Sequence, residues 1–236
     1  MSLAIVGLGP GAAEHRTAAA ERAIRDADVV CGYGPYLDQC ADLLDGQEVV
    51  RGRMGEEIER AFEALARARH ARVALVSSGD AGVHGMAART LALAAGLDVD
   101  IEVIPGVTAA LAAAARLGAP LADDWATLSL SDLQVPWSTV ERRLSGIAAA
   151  GLALALYNPA SRSRSFARAL DVLLMHRAPD TPVAVATDVA RDGEKIATAT
   201  LATLDVRAIT MHSLVLVAGE SGVWAGPWLV GTRGAA

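Results

Sequence analysis

Residues Leu3–Gly11, LAIVGLGPG, set the fold of this chain. The first part is a short apolar run through Ile5 and Val6, which reads as a buried strand. The second part is a glycine loop, where backbone turns sharply or comes close to a ligand. Thr17 then caps a helical segment, TAAAERAIRDA. The pattern repeats outward from there. DVVCG is a second strand. GEEIERAFEALARAR, from Gly55, is an amphipathic helix expected to place Ile58, Phe62 and Leu65 on one face. RVALVSS is a third strand, VHGMAARTLALAA a helix and DVDIEVI a strand. VTAALAAAARLG is a helix capped by Thr108 and stopped at Gly118. Strand and helix alternating over this length predict a mostly parallel sheet covered on both faces.

Gly118-Ala119-Pro120 is the expected domain boundary, because glycine ends a helix and proline prevents its continuation. Beyond it ATLSL is a strand, PWSTVERRLSGIAAA a helix, LALALY a strand and RSFARALDVLLMH a helix. TPVAVAT, EKIATATL and HSLVLVAG follow as three strand-like runs, which suits a mixed sheet. Two α/β domains are expected, residues 1–117 and 121–236, the first with a mainly parallel sheet and the second with a mixed one.

Composition narrows the function. The 236 residues are 53% hydrophobic, 20% charged and 4% aromatic, with a net charge of -6. Such a chain is too apolar for disorder and too acidic and aromatic-poor for a dedicated nucleic-acid binder. No uninterrupted apolar run reaches the roughly 18 residues of a spanning helix. The first apolar run is short, ends at Gly7 and lacks a basic segment before it, so no secretory signal is expected. Cys31 and Cys40 make neither a metal spacing nor a disulfide framework, and a reduced cytoplasm is the expected compartment. Lys195 is the only lysine, and no G-x-x-x-x-G-K-[ST] occurs, which excludes a P-loop nucleotidase.

Five segments can carry chemistry. In VGLGPG (Val6–Gly11), Gly7, Gly9 and Ala12 fit a dinucleotide loop formally. Pro10, however, lacks the N–H a pyrophosphate would use, and VVCGY offers no acid for a ribose. A tight turn, or a loop lying close against some other ligand, remains. SSGDAGVHG (Ser77–Gly85) leaves the carboxyl end of a strand, where open α/β sheets bind ligands. Asp80 there can accept from ribose hydroxyls or an ammonium group, or the loop simply caps the next helix. IPGVTAA (Ile104–Ala110) turns at Pro105-Gly106, and Thr108 caps a helix or faces a ligand. TLSLSDL (Thr127–Leu133) and LYNP (Leu156–Pro159) complete the set.

In this order and spacing the segments resemble the tetrapyrrole methylases, the S-adenosylmethionine-dependent methyltransferases of the corrin and sirohaem pathways. The likeness covers nearly the whole chain. GYGPYLD (Gly32–Asp38), SLSDLQVPW (Ser129–Trp137) and YNPASRSR (from Tyr157) are most similar to members that contract the macrocycle in cobalamin synthesis. The resemblance implies an active site in the cleft between the domains, a homodimer, S-adenosylmethionine as methyl donor and a tetrapyrrole substrate. It implies donor contacts at Ser78, Gly79, Asp80, Val83, Thr108 and Ala109, and further ones at Leu130, Tyr157, Asn158, Ala186 and Thr210. Gly9, Pro10 and Gly11 would line the tetrapyrrole. Ala12 stands where many relatives carry Asp, and Ala81 where many carry Pro.

A macrocycle bearing many carboxylates needs local positive charge from an acidic protein, and the arginine fork suits carboxylates. Arg16, Arg51, Arg53, Arg116, Arg162 and Arg164 lie near the loops. Methyl transfer asks mainly for alignment, worth roughly 7–11 kcal/mol. Ring contraction also moves protons, which a general acid or base assists. Glu14, His15, Ser131 and Asp132 are the candidates. His84 beside the second loop is expected to be structural, His70, His176 and His212 show no ligand spacing, and no metal site is expected. A nicotinamide oxidoreductase and a non-catalytic tetrapyrrole carrier are the competing functions.

Overall fold

The structure, a computed structural model, describes residues 1–160 and 165–233. It divides into two compact units, Met1–Ala109 and Ala110–Ala236. The first contains β1 (Ser2–Gly7), α1 (Ala18–Arg25), β2 (Val29–Tyr33), α2 (Gly34–Gln39), β3 (Glu48–Gly52), α3 (Glu57–Ala68), β4 (Arg72–Ser77), α4 (Ala87–Leu93) and β5 (Asp100–Ile104). Its five strands are all parallel, in the order β3-β2-β4-β1-β5.

Strand alternation separates two cores. Leu3, Ile5, Cys31, Val73 and Leu75 pack with Ala61, Ala64 and Leu65 of α3 and Ala87 of α4. Their sequence neighbours Val6, Val30, Ala74 and Val76 pack with Ala20 and Ile24 of α1 and Leu37 of α2. Ile5 and Val6 are both fully buried, so β1 is covered on both faces. Each large side chain buried this way contributes about 1.5–3 kcal/mol. The connection leaving β1 therefore runs over one face and the connection leaving its neighbour β4 over the other. Between two such strands the carboxyl ends open a crevice, the usual ligand position in open α/β sheets.

Several expectations change here. Ile58 and Phe62 are 49% and 54% exposed. The buried stripe of α3 is Arg60, Ala61, Ala64, Leu65 and Ala68, whose three alanines let the helix approach the sheet. Helix α4 starts at Ala87 rather than Val83, because His84 has φ 54°, outside helical geometry. Strand β3, not expected, is an edge strand with Glu48, Val49 and Arg51 exposed.

The second unit contains α5 (Ala109–Leu117), β6 (Gly118–Ala119), β7 (Trp125–Ser129), α6 (Trp137–Ala149), β8 (Ala153–Tyr157), α7 (Ser165–Leu174), β9 (Pro182–Thr187), β10 (Lys195–Thr200), β11 (Ser213–Val217), β12 (Gly222–Ala225) and β13 (Trp228–Gly231). Helix α5 begins one residue before the division. The main sheet runs β10-β9-β11-β8-β7 and is mixed: only β7 and β8 pair in parallel. Gly118-Ala119, read from the sequence as the boundary, lies beyond the Ala109/Ala110 division of the two units. After α5 ends, these two residues pair with Leu229 and Val230 of β13 in a small sheet that the sequence pattern did not suggest.

Because β11 opposes both β8 and β9, the carboxyl ends of β7, β8 and β9 lie together with the start of β11. Ser129, Tyr157, Thr187 and Ser213 thus share one end of this sheet. No described helix is long and apolar enough to cross a membrane.

Candidate functional site

In the first unit, the loops after β1, β4 and β5 are joined backbone to backbone. Gly9 and Gly79 exchange hydrogen bonds, N–H to carbonyl at 3.0 and 2.7 Å, and the Leu8 N–H donates to the Ser77 carbonyl at 2.9 Å. Gly79 has φ 66°, which suits glycine. A Cβ on Gly106 would overlap the Gly79 carbonyl and come within 2.7 Å of Gly7 backbone atoms. Glycine at 106 is therefore what allows the third loop to close on the other two.

Asp80 ties these loops together. Its Oδ1 accepts from the Gly82 N–H at 2.7 Å, a local turn, and its Oδ2 accepts from the Gly106 N–H at 2.9 Å, across to the loop after β5. Ser78 and Val83 are partly buried beside it, and the buried Thr108 and partly buried Ala109 follow on the β5 side. Desolvation pushes the His84 imidazole below its ordinary value. Pro10 is buried and Gly11 partly so.

In the second unit, the Tyr157 hydroxyl accepts from the Ala110 N–H at 3.0 Å, satisfying a first-turn donor of α5. Ser129 Oγ accepts from Asn158 Nδ2 at 2.9 Å and from the Ser131 N–H at 3.3 Å. Leu130 and Ala186 are buried, at 0% and 1% exposure. Thr210 lies within hydrogen-bond distance of Ser213 Oγ, which in turn bonds Thr187 at 2.9 Å. Asp132 is partly buried in the loop after β7.

The non-glycine residues with positive φ among the described residues are His84, Asn158, Asp188 and Ala190. Each follows the carboxyl end of a strand: β4, β8 or β9. Such backbone costs of order 1–3 kcal/mol per residue and concentrates at functional sites.

The arginines divide sharply. Arg16, its side chain only 3% exposed, forms a bidentate pair with Asp42 at 3.0 and 2.9 Å. Arg51 pairs with Asp38 at 2.6 Å and Arg116 with Glu194 at 2.9 Å. A substrate carboxylate would have to displace those partners. Arg53 is exposed and makes no ion pair among the described residues. Arg162 and Arg164 lie outside the described residues. Glu14 is exposed; His15 Nδ1 is 3.7 Å from its carboxylate and has no hydrogen-bond partner among the described residues. Asp188, Glu194 and Ser213 carry no sequence signal, and His212 shows no ligand spacing, because the partners that gather them lie 24 to 78 residues away.

The family model for Tetrapyrrole (Corrin/Porphyrin) Methylases matches residues 2–205. The chain belongs to this family. A probable cobalt-factor III C(17)-methyltransferase of Salmonella typhimurium is 40% identical over 225 residues, covering 93% of each chain. A precorrin-3B C(17)-methyltransferase of Sinorhizobium sp is 38% identical, over 92% of this chain and 88% of its own. Some curated methylase relatives are longer: this chain spans 45% of the cobalt-factor III methyltransferase of Priestia megaterium. The crystal structure of the methyltransferase CobJ superposes with a TM-score of 0.93 at 32% identity, covering 98% of this chain and 99% of that one. In this methylase the expected mainly parallel and mixed sheets are both present.

Proposed function

We propose that this protein transfers a methyl group from S-adenosylmethionine to carbon 17 of precorrin-3B, or of its cobalt-containing counterpart, and contracts the ring, in cobalamin biosynthesis. What supports this is similarity, over 92–93% of this chain and within the family, to relatives named for carbon 17 in both the metal-free and the cobalt series. S-adenosylmethionine supplies an electrophilic sulfonium methyl group.

The residues present suit that donor. The glycine-lined backbone of residues 79–82 and the Thr108 hydroxyl offer the neutral donors and acceptors that a nucleoside needs. Ser78, Val83 and Ala109 complete this set, with Leu130, Tyr157, Asn158, Ala186 and Thr210 as contacts in the second unit. Their task is alignment, since the sulfonium carbon needs no activation. Gly9, Pro10 and Gly11 line the tetrapyrrole in this reading. Arg53, whose side chain makes no ion pair among the described residues and whose backbone N–H donates to Glu56, receives one of its carboxylates. Glu14, His15, Ser131 and Asp132 remain the proposed acid–base groups of contraction.

The test is incubation with methyl-labelled S-adenosylmethionine and, in parallel, precorrin-3B and cobalt-factor III. Label at carbon 17 of a contracted product is expected in one arm. Label elsewhere, an uncontracted ring, or no transfer in both arms would overturn the assignment. Titration with NADH against S-adenosylhomocysteine separates the oxidoreductase alternative. A homodimer in the cytoplasm accompanies this reading, and light scattering on the purified protein tests the dimer.

A further inference from the structure

The end of the second sheet carries an Asp–His pair that no sequence motif signals. His212 Nδ1 lies 2.9 Å from Asp188 Oδ1. Where the Asp188 carboxylate accepts this bond, Nδ1 carries the hydrogen, and in that tautomer of the neutral imidazole Nε2 presents a lone pair. The histidine side chain is 63% exposed and the aspartate 31%. The ring is open to a ligand while the carboxylate that orients it is partly shielded.

Both sides of the pair are held. The Asp188 N–H donates to the His212 carbonyl at 3.2 Å, and Asp188 sits at φ 49°. Two residues on, Ala190 at φ 58° gives its N–H to Glu194 Oε2 at 2.6 Å, and Arg116 of α5 holds the other Glu194 oxygen at 2.9 Å. On the histidine side, the His212 N–H donates to Thr210 Oγ1 at 3.2 Å, and Ser213 links Thr210 to Thr187. Charged residues on the adjoining segments are Asp188, Arg191, Asp192 and Glu194 in the β9–β10 loop, Lys195 of β10 opposite Thr187, Asp205 and Arg207 ahead of His212, and Arg116 on α5, paired with Glu194. Ala190 thus holds left-handed backbone while its N–H is bonded to a carboxylate that Arg116 also holds, and such backbone concentrates at functional sites. Tyr157, Asn158, Ala186 and Thr210 lie at this same end of the sheet.

Resting on the methylase reading, we propose that His212, oriented by Asp188, is the proton acceptor of the C-methylation. The enamine electron pair of the macrocycle forms the new C–C bond to the methyl carbon. The C–S bond breaks with its pair going to sulfur, leaving a neutral thioether and a macrocycle carrying the positive charge. That macrocycle releases one proton to Nε2. The products are a neutral methylated macrocycle and an imidazolium whose counter-charge, Asp188, is already in place.

Two variants of the full chain test this. His212→Ala removes the base and the hydrogen bond to Asp188. His212→Gln keeps a side-chain N–H for Asp188 but has no comparable base. Single-turnover methylation, thermal denaturation and calorimetric S-adenosylhomocysteine binding are measured for each. Both variants should lose about 100-fold or more in rate, with S-adenosylhomocysteine affinity unchanged, and added imidazole should restore rate to His212→Ala. Wild-type rate in His212→Gln, or a slow His212→Ala that imidazole does not rescue, would overturn the proposal and leave the pair a structural tie. Absence of transfer by the wild-type protein to either tetrapyrrole would instead overturn the methylase reading beneath it.

Discussion

Asp80→Ala should loosen two loops at once. The carboxylate accepts the Gly82 N–H at 2.7 Å and the Gly106 N–H at 2.9 Å. Hydrogen bonds to a charged acceptor contribute about 1.5–3 kcal/mol each. The Gly82 bond lies in an exposed turn and counts at the low end, because water replaces it. The Gly106 bond is partly buried, and its loss strands a donor where Gly7, Gly79 and Gly106 pack backbone to backbone. Together the loss comes to about 2–4 kcal/mol. In a chain of this length that lowers Tm by about 5–15 °C. Affinity for S-adenosylhomocysteine should fall about 10–100-fold as the loops after β4 and β5 separate. Asp80→Asn keeps one acceptor oxygen but turns an NH2 toward a backbone N–H, so it should show about half the loss of Tm. Thermal denaturation followed by circular dichroism and binding calorimetry read both quantities. Asp80→Ala with wild-type Tm and wild-type affinity would refute the clamp. Asp80→Asn with wild-type Tm but lost affinity would show that the carboxylate meets the ligand directly.

Arg53→Gln should raise KM for the tetrapyrrole about tenfold, one carboxylate contact being worth roughly 1.4 kcal/mol, and leave S-adenosylhomocysteine affinity alone; an unchanged KM removes Arg53 from the site. The Arg16 guanidinium holds the Asp42 carboxyl below the usual carboxylate range. A lowered folded-state value means that its stabilisation is complete above the unfolded value and is lost as pH falls through the folded one. The stability gap between wild type and Asp42→Asn should therefore be constant above about pH 5 and close below about pH 4; a gap that does not depend on pH would contradict the pair. Burial pushes the Cys31 and Cys40 thiols up to about 12 and about 11. Neither should react with a disulfide reagent at pH 8 until the chain unfolds, and rapid modification of the native protein would show that the packing around α2 and β2 is open.

The parts of the fold visible in the sequence are those for which burial dictates composition. LAIVGL and RVALVSS read as strands because β1 and β4 are covered on both faces and tolerate only apolar residues. Thr17 reads as a cap because its hydroxyl does accept the Ala20 N–H, at 3.1 Å. The misreadings have equally physical causes. Ile58 and Phe62 have helical spacing, but periodicity alone does not say which of two adjacent stripes faces the sheet, and on α3 the alanines do. EVVRG did not read as a strand because an edge strand needs no apolar face. The glycine loops stood out because close backbone contact excludes every other residue at positions such as Gly106.

Polar partnerships obey no such composition rule. Arg16 meets Asp42 across 26 residues, and His212 meets Asp188 across 24. What joins the second pair is strand register. Ser213 of β11 sits opposite Thr187 of β9 in an antiparallel ladder, so one step beyond the ladder brings His212 opposite Asp188. Had the sequence reading paired TPVAVAT with HSLVLVAG in that register, the dyad would have followed from counting. The apolar alternation that buries Val183 and Val185 against Val215 and Val217 therefore also places a base beside its carboxylate. A one-residue slip would turn every one of those valines to the opposite face, so the core holds the dyad in place.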